Sequence, residues 1–113
     1  MNGFRGGFGG GNMQNIMRQA QKMKEDMERA EQELAQTMVE GTAGGGMVKV
    51  SMNGKKENFS ISLKREAVDP DDIEMLEDLI ASAMKTATDK SKSEMEAKMK
   101  SVTGGVNIPG LTL

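Results

Sequence analysis

Seven apolar residues, Met13, Ile16, Ala20, Met23, Met27, Ala30 and Leu34, return at alternating intervals of three and four. That spacing constrains this chain more than anything else in it. It is a heptad seam, one side of an α-helix aimed at a single partner helix. Asn12 supplies an N-cap, although Asn15 is not the Glu or Gln that a capping box requires three residues later. Run on to Met38, the helix would be roughly 40 Å long at about 1.5 Å per residue. A globule built from 113 residues is too small to enclose it, so it is expected to project.

The middle of the chain changes period. Val39 to Ala43 can form a short strand, and Gly44-Gly45-Gly46 breaks the chain before Met47 to Met52. There Val48, Val50 and Met52 alternate with Met47, Lys49 and Ser51, the pattern of a half-buried strand. Asn53-Gly54 reads as a two-residue type I′ turn, because both residues tolerate positive φ. A third strand over Lys56 to Lys64 follows, with Phe59, Ile61 and Leu63 as its apolar face. This turn sets Val48 opposite Phe59 and, less comfortably, Val50 opposite Glu57. Asp69-Pro70-Asp71-Asp72 then opens a second helix, with Asp69 as N-cap and Pro70 at the first helical position. Ile73, Leu76, Ile80, Ala83 and Ala87 carry its apolar side, which resumes at Met95, Met99 and Val102. Gly104-Gly105 ends that helix near Thr103. The expected organisation is a flexible glycine-rich tail over 1–11, one domain over 12–103, and an extension over 104–113 that either packs back onto the helices or stays free.

The core of such a chain is thin. Three Phe are its only aromatic residues, and twelve Met take the place of the missing large side chains. Methionine fills gaps adaptably but specifies a unique core weakly, and a sheet with two edges and two faces has only two helices to cover it. A second copy is the expected cover, giving an obligate homodimer whose interface draws on Val48, Val50, Phe59, Ile61 and Leu63. The chain holds no Cys and no His, which removes thiolate nucleophiles, Cys/His zinc sites and the usual neutral-pH base. No enzymatic role, metal, cofactor or small-molecule substrate is therefore expected. Nothing resembles a signal peptide or a membrane span, so the expected location is the cytoplasm.

Four strings carry a family resemblance. They are Asn12-Met13-Gln14-Asn15-Ile16-Met17-Arg18-Gln19-Ala20-Gln21, Val39-Glu40-Gly41-Thr42-Ala43-Gly44-Gly45-Gly46-Met47-Val48-Lys49-Val50 with Asn53-Gly54 downstream, Glu74-Met75-Leu76-Glu77-Asp78-Leu79-Ile80, and Gly104-Gly105-Val106-Asn107-Ile108-Pro109-Gly110. In this order they resemble the YbaB/EbfC family of nucleoid-associated proteins, and the second and third strings are the more specific. The resemblance implies an α+β fold, an α-β-β-β-α subunit with a three-stranded antiparallel sheet. It also implies a tweezer-like homodimer with two long projecting helices, and binding of double-stranded DNA in the nucleoid with limited sequence preference.

Net charge is −2, but it is segregated along the chain. Residues 12–24 hold Arg18, Lys22 and Lys24 with no acid, whereas residues 25–40 hold six acids and Arg29. Residues 69–84 hold six acids and no base, and residues 85–101 hold Lys85, Lys90, Lys92, Lys98 and Lys100 against three acids. If the helices pair antiparallel, both basic segments are expected at the free end of the prong, where they can neutralise phosphates and release counterions. The plainer alternative is that these lysines complement the helix dipole on a solvated face. No helix-turn-helix, zinc-finger or basic-zipper pattern is present to read bases. Two rival readings stand beside DNA binding: a Met-rich helical chaperone or protein-interaction module, and an RNA-binding accessory protein using Phe4, Arg5 and Phe8 of the tail.

Overall fold

A computed structural model describes residues 11–103; the expected tail up to Gly10 and the extension from Gly104 lie outside the described residues. The order is α1 (Gly11–Gln36), β1 (Met38–Ala43), β2 (Val48–Asn53), β3 (Ser60–Leu63), a 3-10 turn at Arg65–Ala67, and α2 (Ile73–Thr103). The strands form one antiparallel sheet in the order β1-β2-β3, so the fold is the α-β-β-β-α arrangement expected. The body measures 82 × 25 × 17 Å, and the first helix does project.

Helix α1 starts at Gly11, which puts Asn12 inside its first turn and not at the cap. It stops two residues short of Met38 because Thr37 closes it. The Thr37 hydroxyl donates to the Glu33 carbonyl at 2.8 Å, and the Thr37 amide donates to the Leu34 carbonyl at 3.2 Å. The second helix starts later than expected. Asp69 Oδ1 accepts from the Asp71 amide at 3.0 Å in a turn of its own, and Asp72 is the residue whose carboxylate accepts from the Met75 amide, at 3.1 Å. Pro70 therefore sits in the approach to α2 and not at its first position.

The β2–β3 connection also corrects the sequence reading. Val50 pairs with Ile61 and Val48 with Leu63, so the strand is Ser60–Leu63 and the loop spans six residues. The positive φ values fall on Lys56 (61°) and Asn58 (58°), not on Asn53-Gly54. Asn53 instead shapes the loop through its side chain: Oδ1 accepts from the amides of Lys55 and Glu57, each at 2.9 Å. Gly54 is needed for room, since an added Cβ would lie 2.7 Å from Leu34 Cδ2. Its amide donates to the Leu34 and Thr37 carbonyls at 2.9 Å, tying the loop to the end of α1.

One sheet face is covered and the other is polar. Val39, Val48, Val50 and Met52 lie beneath α2 and form the core with Ala67, Ala83 and Ala87. The helix approaches β1 closely at Gly41, where a Cβ would overlap Ala83 O and Ala87 N. The opposite face presents Glu40, Thr42, Lys49 and Ser51, with Lys49 Nζ 3.6 Å from Glu40 Oε2. Direct pairing puts Ile61 and Leu63 on the same face as Val50 and Val48. However, α2 lies mainly over β1 and β2, and the β3 side chains extend past its cover.

Candidate nucleic-acid interface

The two helices run antiparallel, but their ends are offset. Lys98 Nζ lies 3.4 Å from Glu33 Oε2, and Val102 shares a crevice with Asp26, Arg29 and Ala30. One turn further on α2 has ended, while α1 continues outward from about Lys24 to Gly11, roughly 20 Å of helix at the α-helical rise. Every residue from Met13 to Lys22 is exposed.

This offset decides which expected site residues meet. Arg18, Lys22 and Lys24 share the free half of α1, all exposed, and none makes an ion pair among the described residues. The α2 lysines are not beside them. Lys85 pairs with Asp89 at 3.1 Å on the half of α2 that covers the sheet, and Lys90 lines an open groove with Glu40, Asp89 and Glu94. Lys92 and Lys100 are exposed, and Lys98 is held by Glu33. The basic part of α2 thus lies along the acidic part of α1, because α2 stops short of the basic one. The expectation that both basic segments occupy the free end is corrected to one segment, on α1.

The five residues expected at a subunit interface also divide. Val48 and Val50 have no exposure, being covered by α2 of the same chain. Phe59, Ile61 and Leu63 are 60%, 50% and 41% exposed on the open edge. Val68 and Ile73, in the connection to α2 and at its start, are exposed as well, so the edge strand and its surroundings present apolar side chains to solvent.

Sequence reasoning missed the residue that joins prong to sheet. Asn53 is 1% exposed, and besides shaping its loop it donates from Nδ2 to the Ala35 carbonyl at 3.1 Å. Its own carbonyl accepts from the buried Ser91 hydroxyl at 2.9 Å. One side chain and its backbone thereby fix α1, the β2–β3 loop and α2 to each other. The loop it shapes carries Lys55 and Lys56 at the root of the prong; the adjacent lysines were visible, but their placement depended on the side-chain bonding.

Comparison with known proteins points the same way. The model of the YbaB/EbfC DNA-binding family matches residues 9–106. A nucleoid-associated protein of Clostridium acetobutylicum is 50% identical over 105 residues, covering 93% of this chain and 94% of that one. Another, from Caldanaerobacter subterraneus, is 48% identical over 108 residues, covering 95% and 97%. The crystal structure of an uncharacterized protein from Helicobacter pylori shares the fold with a TM-score of 0.58 at 24% identity, covering 66% of this chain and 87% of that one. With long helices, a small sheet and a family match across nearly its whole length, the chain belongs to the YbaB/EbfC DNA-binding family.

Proposed function

We propose that the protein binds double-stranded DNA in the nucleoid as a homodimer, gripping phosphates with the free halves of its two α1 helices. The observation that carries this reading is the outer half of α1, where Arg18, Lys22 and Lys24 are exposed and no acid lies between residues 12 and 24. Helical cations spaced along one rod fit a backbone contact that positions the protein without reading bases, so sequence preference is low. The second subunit joins at the β3 side, where Phe59, Ile61 and Leu63 would be covered. Lys92, Lys98 and Lys100 add a weaker field along α2, while Lys85 and Lys90 lie over the sheet, away from the tip. No helix among the described residues is long and apolar enough to cross a membrane.

The test is DNA retention across a salt series, with Arg18→Ala/Lys22→Ala beside the unaltered protein. Affinity should fall with salt, and the double variant should lose about two from the log–log slope per bound prong. Retention that is absent even at low salt would overturn the proposal. A client-binding reading is favoured by the exposure of Met13, Met17 and Met27; it predicts suppression of aggregation of an unfolded protein without DNA retention.

A further inference from the structure

The heptad seam of α1 is half used. Ala30 and Leu34 are 2% and 1% exposed, yet on the same side of the helix Met27, Ile16 and Met13 are 39%, 61% and 53% exposed. Ala20, Met23, Lys24 and Met27 border a shallow depression there, and nothing among the described residues fills it. A face patterned for burial over seven positions thus loses its cover where α2 ends.

We propose that the outer seam of α1 docks antiparallel on the same seam of a second copy, tip past tip. Side-chain size sets the register. In an antiparallel pair each seam residue meets one from the alternate set of heptad positions. With the two-fold axis between Gln21 and Lys22, Ala20 faces Met23 of the second copy and Ile16 faces Met27, each contact occurring twice. Long methionines then lie over small alanines at the centre, where the depression is.

Charge sets the direction. Met17 and Lys24 flank the seam on one side, Gln19 and Asp26 on the other. Antiparallel pairing sets Met17 against Lys24 and Gln19 against Asp26, so no like charges are opposed beside the seam. It also brings Glu25, Asp26 and Glu28 level with residues 15–18 of the second copy, Arg18 among them. A parallel pair in register would oppose Asp26 to Glu31 of the second copy and place Arg18, Lys22 and Lys24 level with their own equivalents.

The paired copies have their sheets at opposite ends, which two prongs rising from one shared root cannot achieve, so the contact links separate sheet-joined dimers. Arg18 and Lys22 lie off the seam and stay free. Two heptads fall well short of the ~800 Å² per partner of a stable interface, so pairing is weak and needs high local concentration, as when dimers crowd along one duplex. Only that setting rests on the DNA-binding reading; the pairing itself does not.

The chain has no cysteine, so two single variants report the direction. Ile16→Cys and Met27→Cys, mixed at high concentration without DNA and oxidised mildly, should yield mainly the mixed disulfide. Two copies of position 16 would lie about 16 Å apart along the axis, beyond disulfide reach. Mainly symmetric disulfides would mean parallel seams, and no cross-link would mean a different cover; either result overturns the proposal. Independently, Met17→Glu should tighten self-association about tenfold at low salt, because two new carboxylates each meet a Lys24 ammonium across the pair. Sedimentation at rising concentration reads this, and unchanged association would overturn the proposal even if the cysteine variants failed to fold.

Discussion

The root and the tip of this molecule are built on opposite terms. At the root, small residues let elements approach and buried polar groups are satisfied: Ala83 and Ala87 sit on Gly41, and Asn53 bonds to three neighbouring segments. At the tip, one helix carries three cations that make no ion pair, and an apolar seam left bare, among the described residues. The root is specified within one chain, whereas the tip is patterned for contacts that the described residues do not supply. Substitutions at the root should therefore act on folding and those at the tip on binding.

The largest effect is expected at Gly41. In Gly41→Ala the new methyl meets main-chain atoms of α2, which cannot rotate away, so the helix must lift. A loss of about 3 kcal/mol is expected, visible as a fall of about 15 °C in thermal midpoint for a domain of this size. Gly45→Ala is the contrast: the space is open but φ is +68°, and about 1 kcal/mol is expected. A loss at Gly41 no larger than at Gly45, where the cost is backbone strain, would mean that α2 lifts off β1 with little penalty.

The open edge of the root comes next. Ile61→Glu/Leu63→Glu should weaken dimerisation about a hundredfold, about 2.7 kcal/mol, and sedimentation should show monomer. The monomer should keep its helix content, because Val48 and Val50 are covered by their own α2. A dimer that persists would move the interface elsewhere, and the tip seam would be the next candidate. Asn53→Ala should cost about 2 kcal/mol, since the amides of Lys55 and Glu57 and the Ala35 carbonyl together lose three part-buried hydrogen bonds. Urea unfolding measures it, and DNA affinity of the folded fraction should change little.

These contrasts show what was legible in the residues. Element order, the buried alternation of Val48, Val50 and Met52, and the projecting helix followed from periodicity, a local property of the chain. The register of β3 did not, because Asn53-Gly54 signals a turn equally well whether it acts through φ or through a side-chain knot and a tight fit against Leu34. The start of α2 was misplaced because Asp69 and Asp72 both suit a cap, and only the hydrogen bond from Met75 distinguishes them. The need for glycine at position 41 was invisible, as it arises from residues more than forty positions away. The charge segments were read correctly along the chain, but their alignment depended on where α2 ends beside α1.

The smallest effect tests that alignment. Lys98 and Glu33 are 31% and 51% exposed at the side chain, and a pair of this kind contributes at most about 1 kcal/mol, so Lys98→Ala should barely move the thermal midpoint. If the basic half of α2 chiefly balances the acidic half of α1, the same variant should leave the salt slope of DNA retention nearly unchanged, unlike Arg18→Ala. Glu33→Gln should then raise affinity slightly, because it removes an acid and releases Lys98 to solvent or phosphate. A salt slope that drops as much for Lys98→Ala as for Arg18→Ala would extend the DNA contact down the prong towards Lys55 and Lys56, and the functional division would no longer follow the end of α2.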